Sequence, residues 1–143
     1  MAEIRPIRKE ELERFARLFA QQEGNETGML LAMGDMMEEG LPAYGYWDQG
    51  QLLGVIHFQK ERSAHKQHRP YTLIGIVIVH PAYRGRGIGE QLVNFVKAAS
   101  ETDWVLTSPA DTAADRFFAK CGFFPVDDSG EEQMMAYFKS GEF

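Results

Sequence analysis

The chain has 143 residues, of which 25% are charged, and it carries a formal net charge of −6 and a single cysteine. This length is most simply one domain over residues 1–143 that needs no disulfide, and the negative charge argues against a general nucleic-acid-binding protein, because phosphate contacts supply non-specific affinity. The sequence shows no long apolar run and no signal-peptide pattern at its start, so we expect a cytoplasmic protein without a membrane partner.

The first part of the chain predicts one strand, two helices and a β-hairpin. Alternation over Glu3–Ile7 predicts a short strand, and apolar residues at helical spacing predict a helix over Lys9–Gln22. A second, methionine-rich helix is expected over Thr27–Glu39, where the methionines either fill the core or line an adaptable ligand groove. Tyr44–Trp47 and Leu52–Phe58 flank a turn that contains glycine, which predicts two antiparallel strands.

A polar and locally basic segment, Glu61–Pro70, follows the hairpin and is expected to be a solvated loop. It contains His65 and His68, which are potential metal ligands. A histidine pair in a loop without a companion cysteine or carboxylate is far more often plain surface, so no metal site is expected.

Residues 74–100 have the pattern of a strand, a tight loop and a helix. β-Branched residues run through Ile74–Val79, a proline follows, and apolar side chains recur at helical spacing from about Gly87 onward. Glycines in the loop leave the first backbone N–H groups of the helix uncovered, and these groups have no partner inside the helix. Arg84 and Arg86 add positive charge at the same place. The pattern predicts a phosphate site, and most simply a diphosphate site.

The last part of the chain predicts a strand, a helix and two further strands. These are a strand over Trp104–Thr107, a helix that Asp111 or Thr112 can cap and that runs to about Lys120, and strands over Phe123–Val126 and Gln133–Lys139. The first of these strands should lie parallel to Ile74–Val79, because a right-handed strand–helix–strand unit joins the two. The element order predicts an α/β (α+β) fold, with a mixed sheet of about seven strands and helices on both faces.

Two segments resemble signatures of the GNAT N-acetyltransferase superfamily. Val79–Gly89 reads VHPAYRGRGIG and resembles the superfamily's acyl-CoA loop, which is R/Q-x-x-G-x-G/A after a hydrophobic strand. Ala114–Phe123 reads ADRFFAKCGF and resembles its second signature, A-x-x-F/L-Y-x-x-x-G-F. The resemblance implies the GNAT acyl-CoA N-acyltransferase fold, in which two parallel central strands splay apart to admit the pantetheine arm.

The resemblance also implies which residues hold the cosubstrate, acetyl-CoA. The backbone of the loop would bind the pyrophosphate, and strand residues just before it would offer backbone groups to pantetheine and to the acetyl carbonyl. The loop residues are Arg84, Gly85, Arg86, Gly87, Ile88, Gly89 and Glu90, and the strand residues are Val77, Ile78 and Val79.

Two positions depart from the usual pattern and leave the general acid and base open. Phe118 stands where many members carry the tyrosine that protonates the thiolate, and Gly75 stands where many carry a glutamate that acts on the amine through water. Tyr137 on the last strand and His80 at the end of the central strand are the titratable candidates for these roles, and two tyrosines of the hairpin are further ones. His80, next to a proline, also fits a structural or surface role.

The resemblance implies an enzyme that transfers an acetyl group from acetyl-CoA directly to a primary amine of a small molecule or a protein. The alternative is a GNAT-fold acyl-CoA-binding or regulatory module with weak or no turnover, which the residues at Phe118 and Gly75 favour. The sequence does not specify the acceptor amine. A homodimer is expected by analogy alone, and no metal, nucleic acid or membrane is expected as a partner.

Overall fold

The computed structural model describes residues 2–20, 26–62, 70–109, 111–126 and 134–139. Within these residues it has seven strands and four helices, in the order that the sequence predicts. The strands are β1 (Ala2–Pro6), β2 (Ala43–Asp48), β3 (Gln51–Arg62), β4 (Pro70–Val79), β5 (Trp104–Thr107), β6 (Phe124–Val126) and β7 (Met134–Phe138). The helices are α1 (Lys9–Ala16), α2 (Glu26–Glu38), α3 (Ile88–Ala99) and α4 (Thr112–Lys120), and two short 3₁₀ turns cover Arg17–Phe19 and Pro81–Tyr83.

The strands form one mixed sheet in the order β1-β2-β3-β4-β5-β7-β6. β2 pairs antiparallel with β1 and β3, and β7 pairs antiparallel with β5 and β6. β4 and β5 are parallel, with α3 between them in the chain. This arrangement confirms the predicted mixed sheet and its parallel central pair.

The chain divides into two compact units, to both of which β3 and β4 contribute. The first comprises Met1–His57 and Ile76–Leu92, and the second comprises Phe58–Gly75 and Val93–Phe143. The prediction of a single domain over residues 1–143 stays a prediction.

The first unit has an apolar cluster built from α1, α2 and the strands. Leu12, Phe15 and Phe19 follow one another at helical spacing and are at most 3% exposed. They pack with Leu30 and Met33 of α2 and with the strand residues Ala43, Leu52, Val55, Ile76 and Ile78. Full burial of each large apolar side chain contributes roughly 1.5–3 kcal/mol. The other methionines of α2 pack against this cluster, which supports the core-filling interpretation of the methionine-rich helix.

The second unit contains buried hydroxyl groups that satisfy one another. Thr72 Oγ1 lies 2.8 Å from Ser100 Oγ and 2.9 Å from Thr102 Oγ1. Lys139 Nζ donates to the Ser100 carbonyl at 2.6 Å. These bonds join β4 to the residues that follow α3, and they offset the cost of burying the hydroxyl groups.

Several predicted boundaries differ from those of the structure. The helix predicted over Lys9–Gln22 ends at Ala16 and is followed by a 3₁₀ turn. The loop predicted over Glu61–Pro70 is shorter, because its first two residues belong to β3 and its last residue belongs to β4. Ladder hydrogen bonds extend these strands even where the side chains are polar and show no alternation. His65 and His68 lie outside the described residues.

Candidate functional site

The end of β4 is fixed by hydrogen bonds around His80. The His80 N–H donates to the Leu53 carbonyl on β3 at 2.7 Å, and the His80 carbonyl accepts from the Tyr83 N–H at 2.9 Å. His80 Nδ1 accepts from the Ala82 N–H at 3.0 Å. These bonds start the 3₁₀ turn over Pro81–Tyr83 and so set the direction in which the chain leaves the strand.

The His80 imidazole therefore has a structural task in addition to any chemical one. Because Nδ1 accepts the Ala82 hydrogen bond, the neutral ring carries its proton on Nε2, which makes it a donor there. The ring stands edge-to-face with Tyr83, with centroids 5.0 Å apart, and the Tyr83 hydroxyl donates to Gln51 Oε1 at 3.3 Å. In this arrangement Nε2 can donate a hydrogen bond, whereas Nδ1 is engaged by the Ala82 N–H.

The loop after Tyr83 turns at two glycines with left-handed backbone. Gly85 has φ +82° and Gly87 has φ +81°, and a Cβ built on either would meet no heavy atom within 4 Å. Any other residue would be strained there, although the space is open. Gly85 and Gly87 thus bring bare backbone to the N-terminus of α3.

The first amides of α3 have no acceptor inside the helix. The Gln91 N–H donates to the Gly87 carbonyl at 3.0 Å, so the first intrahelical bond begins at Gly87. The N–H groups of Ile88 and Gly89 precede this bond, at the helix end where backbone donors have no intrahelical acceptor. An anion at this end gains hydrogen bonds and a favourable interaction with the helix dipole.

Gly54 on β3 determines how closely α3 approaches the sheet, and sequence reasoning missed it. A Cβ at this position would lie 3.1 Å from both Ile88 Cγ2 and Leu92 Cδ1. Ile88 is 5% exposed and Leu92 is fully buried, so the first turns of α3 pack against β3. A glycine inside a strand was the available signal, because it commonly marks a close approach.

The two arginines of the loop, Arg84 and Arg86, could not be distinguished from the sequence but have different surroundings in the structure. Arg84 Nη2 lies 3.6 Å from Glu26 Oε1, and Arg84 Nε donates to the Val79 carbonyl at 3.3 Å. The Arg86 guanidinium instead lies 5.0 Å from the Tyr83 ring centroid. Among the described residues no carboxylate pairs with Arg86, so its charge is the more available of the two for an anion.

The β4–β5 ladder is short and ends at a threonine. In the described part of the chain it comprises the pairs Thr72–Val105, Leu73–Leu106 and Ile74–Thr107. Thr107 Oγ1 donates to the Ile74 carbonyl at 3.1 Å and so satisfies that carbonyl where the ladder ends. β4 runs on to Val79, beyond the last pair with β5. β5 itself ends at this pair, so the predicted splay of the two strands stays a prediction.

The second unit brings Phe118 and Tyr137 against a common ring. Phe118 is 6% exposed and its ring centroid lies 5.3 Å from that of Phe123. The Phe123 centroid in turn lies 5.8 Å from that of Tyr137. Phe118 therefore lies in an aromatic cluster. The phenol of Tyr137 on β7 belongs to the same cluster and is separated from Phe118 by the Phe123 ring.

Lys97 lies over the face of Tyr137. Its Nζ is 4.1 Å from the Tyr137 ring centroid and donates to the Cys121 carbonyl, which belongs to the residue that ends α4. Burial lowers the pKa of Lys97, and the nearby Cys121 thiol opposes that shift. This distance is within the range of a favourable cation–π interaction.

The described residues contain neither a candidate metal-binding cluster nor a candidate membrane-spanning helix. Across the described ranges, no three His, Cys, Asp or Glu side chains are grouped as a metal ion would require. Nor does any helix in that part of the chain have the length and apolar character needed to cross a membrane.

The mixed sheet and the glycine-containing loop between β4 and α3 are features of an acetyltransferase-type fold. The chain belongs to the GNAT acetyltransferase family, since the sequence profile described as Acetyltransferase (GNAT) family matches residues 4–123. A comparison with curated protein sequences finds no match.

Solved structures share this fold over nearly the whole chain. A mutant of the AtaT toxin bound to the C-terminus of the antitoxin AtaR and acetyl-CoA has a TM-score of 0.74 and 20% identity, covering 98% of this chain and 94% of that one. The Bacillus subtilis N-acetyltransferase YlbP in complex with coenzyme A has a TM-score of 0.69 and 21% identity, with coverages of 96% and 97%. The KacTA–DNA complex has a TM-score of 0.71 and 18% identity, with coverages of 98% and 94%. At these identities the likeness shows the fold alone.

Proposed function

We propose that the protein is an enzyme that transfers an acetyl group from acetyl-CoA directly to a primary amine. The observation that carries this proposal is the loop at the N-terminus of α3, where Gly85 and Gly87 adopt left-handed backbone and leave their surroundings open. Membership of the GNAT family and the acetyl-CoA and coenzyme A in two structures of similar fold support the same cosubstrate.

In this proposal the loop residues and the β4 residues bind different parts of acetyl-CoA. The backbone N–H groups from Arg84 to Glu90 bind the pyrophosphate, and Arg86 adds a charge that no described carboxylate compensates. Backbone groups of Val77, Ile78 and Val79 align pantetheine and hold the acetyl carbonyl, whose oxygen becomes negative in the transition state. Alignment of the two reactants supplies several kcal/mol of barrier lowering.

The transfer needs one proton acceptor and one proton donor. The neutral amine attacks the thioester carbonyl, the new C–N bond forms, and the C–S bond breaks with departure of the coenzyme A thiolate. The nitrogen loses a proton and the thiolate gains one, so acetyl-CoA and amine become amide, free thiol and, from an ammonium ion, one released proton. We assign Tyr137 as the donor to the thiolate, and we keep His80, whose Nδ1 accepts from the Ala82 N–H, as the second candidate.

The second candidate function is acyl-CoA binding with little turnover. It is favoured by Phe118, whose buried hydrocarbon surroundings offer no proton at the position where many family members have a tyrosine. The predicted absence of a nucleic-acid partner stays a prediction, because one structure of similar fold is a complex with DNA. The predictions of a homodimer and of a cytoplasmic location likewise stay predictions.

Two measurements on the purified protein test the proposal. Calorimetry with coenzyme A and acetyl-CoA should show binding, and detection of free thiol with a panel of small amines and peptides should show release that depends on the amine. Binding without release above the uncatalysed rate would favour the binding module. Failure to bind either coenzyme would refute both functions.

A further inference from the structure

The peptide group between Val79 and His80 is held from both sides at the end of β4. Its N–H, which belongs to His80, donates to the Leu53 carbonyl on β3 at 2.7 Å. Its carbonyl, which belongs to Val79, accepts from Arg84 Nε at 3.3 Å. The N–H and the carbonyl of a trans peptide group point in opposite directions. The Val79 carbonyl therefore points away from β3, and Arg84 meets it on that side.

The backbone N–H of Val79 points to the same side as its carbonyl. This holds because the N–H and the carbonyl of one residue in an extended strand face the same neighbouring strand. On the side away from β3, the last described ladder pair of β4 is Ile74–Thr107, five residues before Val79. Val79 is only partly buried. The Arg84 hydrogen bond thus takes the place of a ladder bond and keeps Val79 extended beyond the end of the ladder.

Arg84 is held at this carbonyl by two further contacts. Its Nη2 lies 3.6 Å from Oε1 of Glu26, the first residue of α2, and its guanidinium carbon lies 5.9 Å from the ring centroid of the buried Phe19. Because the guanidinium is planar and its donors form a rigid fork, the contact with Glu26 also sets the direction of Nε. A side chain extended towards a bound phosphate would lose both partners. The position of Arg84 therefore fits a role other than neutralising the pyrophosphate.

We infer that Arg84 is a positioning residue, whose Nε–H holds the backbone of Val79 so that the Val79 N–H is aimed at the carbonyl oxygen of the acetyl group. The inference rests on the proposed function, in which the end of β4 binds this carbonyl. When the amine attacks, the C–N bond forms and the electron pair of the carbonyl bond moves to oxygen. The pair returns when the C–S bond breaks. A donor that is already aimed at the oxygen stabilises its charge without reorganisation.

Two substitutions at Arg84 separate the hydrogen bond from the charge. Arg84→Gln keeps a donor in place, because the amide nitrogen of glutamine and the Nε of arginine are both bonded to Cδ, but it removes the charge. Arg84→Met removes the donor and the charge together. If Arg84 acts by positioning, the glutamine should restore most of what the methionine loses. If it acts through its charge, the two variants should fail alike.

The ¹³C signal of the acetyl carbonyl tests the inference without turnover. A hydrogen bond to a carbonyl oxygen moves the signal of its carbon downfield. Acetyl-CoA labelled at this carbon should show a downfield shift on binding to the wild-type protein, which Arg84→Gln should keep and Arg84→Met should lose. The calorimetric Kd for coenzyme A should be similar in the two variants, since both remove the same charge. The absence of a shift in the wild-type protein, or an equal shift in Arg84→Met, would overturn the inference.

The steady-state kinetics of thiol release measure the catalytic consequence. We expect kcat to fall by about 10- to 100-fold in Arg84→Met, below the roughly 10²–10³-fold that removal of an oxyanion donor costs. Most of the loss should be recovered in Arg84→Gln, and KM for acetyl-CoA should change little in either variant. Loosening of the whole loop would instead raise KM in both. Arg14→Met, the same change at an exposed position of α1, is the matched control and should leave the kinetics and the carbonyl shift unaltered.

Glu26→Gln disturbs the same hydrogen bond from α2 and does not depend on the folding of Arg84→Met. The carbonyl shift should shrink in this variant, and an undiminished shift would contradict the inference. The two proposals fail separately. A carbonyl shift that depends on Arg84, without thiol release for any amine, would support the positioning role and refute acetyl transfer. Thiol release with a wild-type kcat in Arg84→Met would overturn the positioning role and leave acetyl transfer standing.

Discussion

Arg84 on the glycine loop lies against Glu26, the first residue of α2, with Arg84 Nη2 3.6 Å from Glu26 Oε1. Its guanidinium carbon also lies 5.9 Å from the Phe19 ring centroid, and Nε bonds the Val79 carbonyl. One side chain thus links the loop, the end of β4 and the start of α2. The charge that Arg84 offers to an anion is partly compensated by Glu26.

The two arginines should therefore contribute unequally to coenzyme A binding. We expect Arg86→Gln to weaken binding more than Arg84→Gln, because Arg86 has no described carboxylate partner. Glu26→Gln should tighten binding by up to about fivefold, since a half-exposed pair is worth no more than ~1 kcal/mol. Calorimetry at low and high salt measures these effects, which should shrink as salt is raised. A larger loss in Arg84→Gln than in Arg86→Gln would contradict this division of roles.

Gly87→Glu should abolish coenzyme A binding. The substitution places a carboxylate at the site assigned to the pyrophosphate and forces a side chain into left-handed backbone at φ +81°, which costs roughly 1–2 kcal/mol. Gly87→Ala adds the strain without the charge, so it should weaken binding much less. Titration of each variant with coenzyme A gives the comparison.

Gly28→Glu is the matched control for that experiment. Gly28 lies in α2, and a Cβ there would also meet no heavy atom within 4 Å, but its backbone is not left-handed. The same charge at this open helical position should leave coenzyme A binding unchanged. Equal affinities for the Gly87→Glu and wild-type proteins would mean that the loop does not bind the pyrophosphate.

Tyr137→Phe should lower kcat if Tyr137 protonates the departing thiolate. We expect a loss of about 10²–10⁴-fold, the usual range for a general acid, with little change in coenzyme A affinity. The alkaline limb of the pH–rate profile should change as well, which a purely structural role would not produce. Phe118→Tyr in the same background tests whether a phenol at the family's usual position restores activity. Full activity in Tyr137→Phe would remove Tyr137 from the mechanism.

The glycine loop and α3 could be predicted from sequence because their signals are local. A proline, three closely spaced glycines and a 3.6-residue apolar period all lie within one short stretch around Gly87. Gly54 could not be connected to Ile88 in this way, since the close approach of β3 and α3 depends on chain segments far apart in sequence. The pairing of Glu26 with Arg84 was hidden for the same reason.

The burial of His57 escaped sequence reasoning for a different reason. β3 is buried on both faces from Leu52 to His57, so its sequence does not alternate between polar and apolar residues. For a histidine in such a run, the sequence does not indicate which face of the sheet its side chain lies on or whether its ring has a hydrogen-bond partner. Only the β2–β3 register, with Ala43 opposite His57, places the ring in the apolar cluster.

The pH dependence of stability offers a measurement on the buried His57. Burial lowers the pKa of His57 in the folded state, whereas the unfolded chain titrates near the ordinary value of about 6.5. Between the two pKa values the unfolded state binds more protons, so the free energy of unfolding falls as the pH is lowered through this window. His57→Gln removes the titrating group and should flatten that part of the curve. Urea unfolding of both proteins between about pH 5 and 8 isolates the effect, because every other ionisable group is common to both. Equal slopes in the two proteins would mean that His57 titrates alike in the folded and unfolded states and is not desolvated by burial.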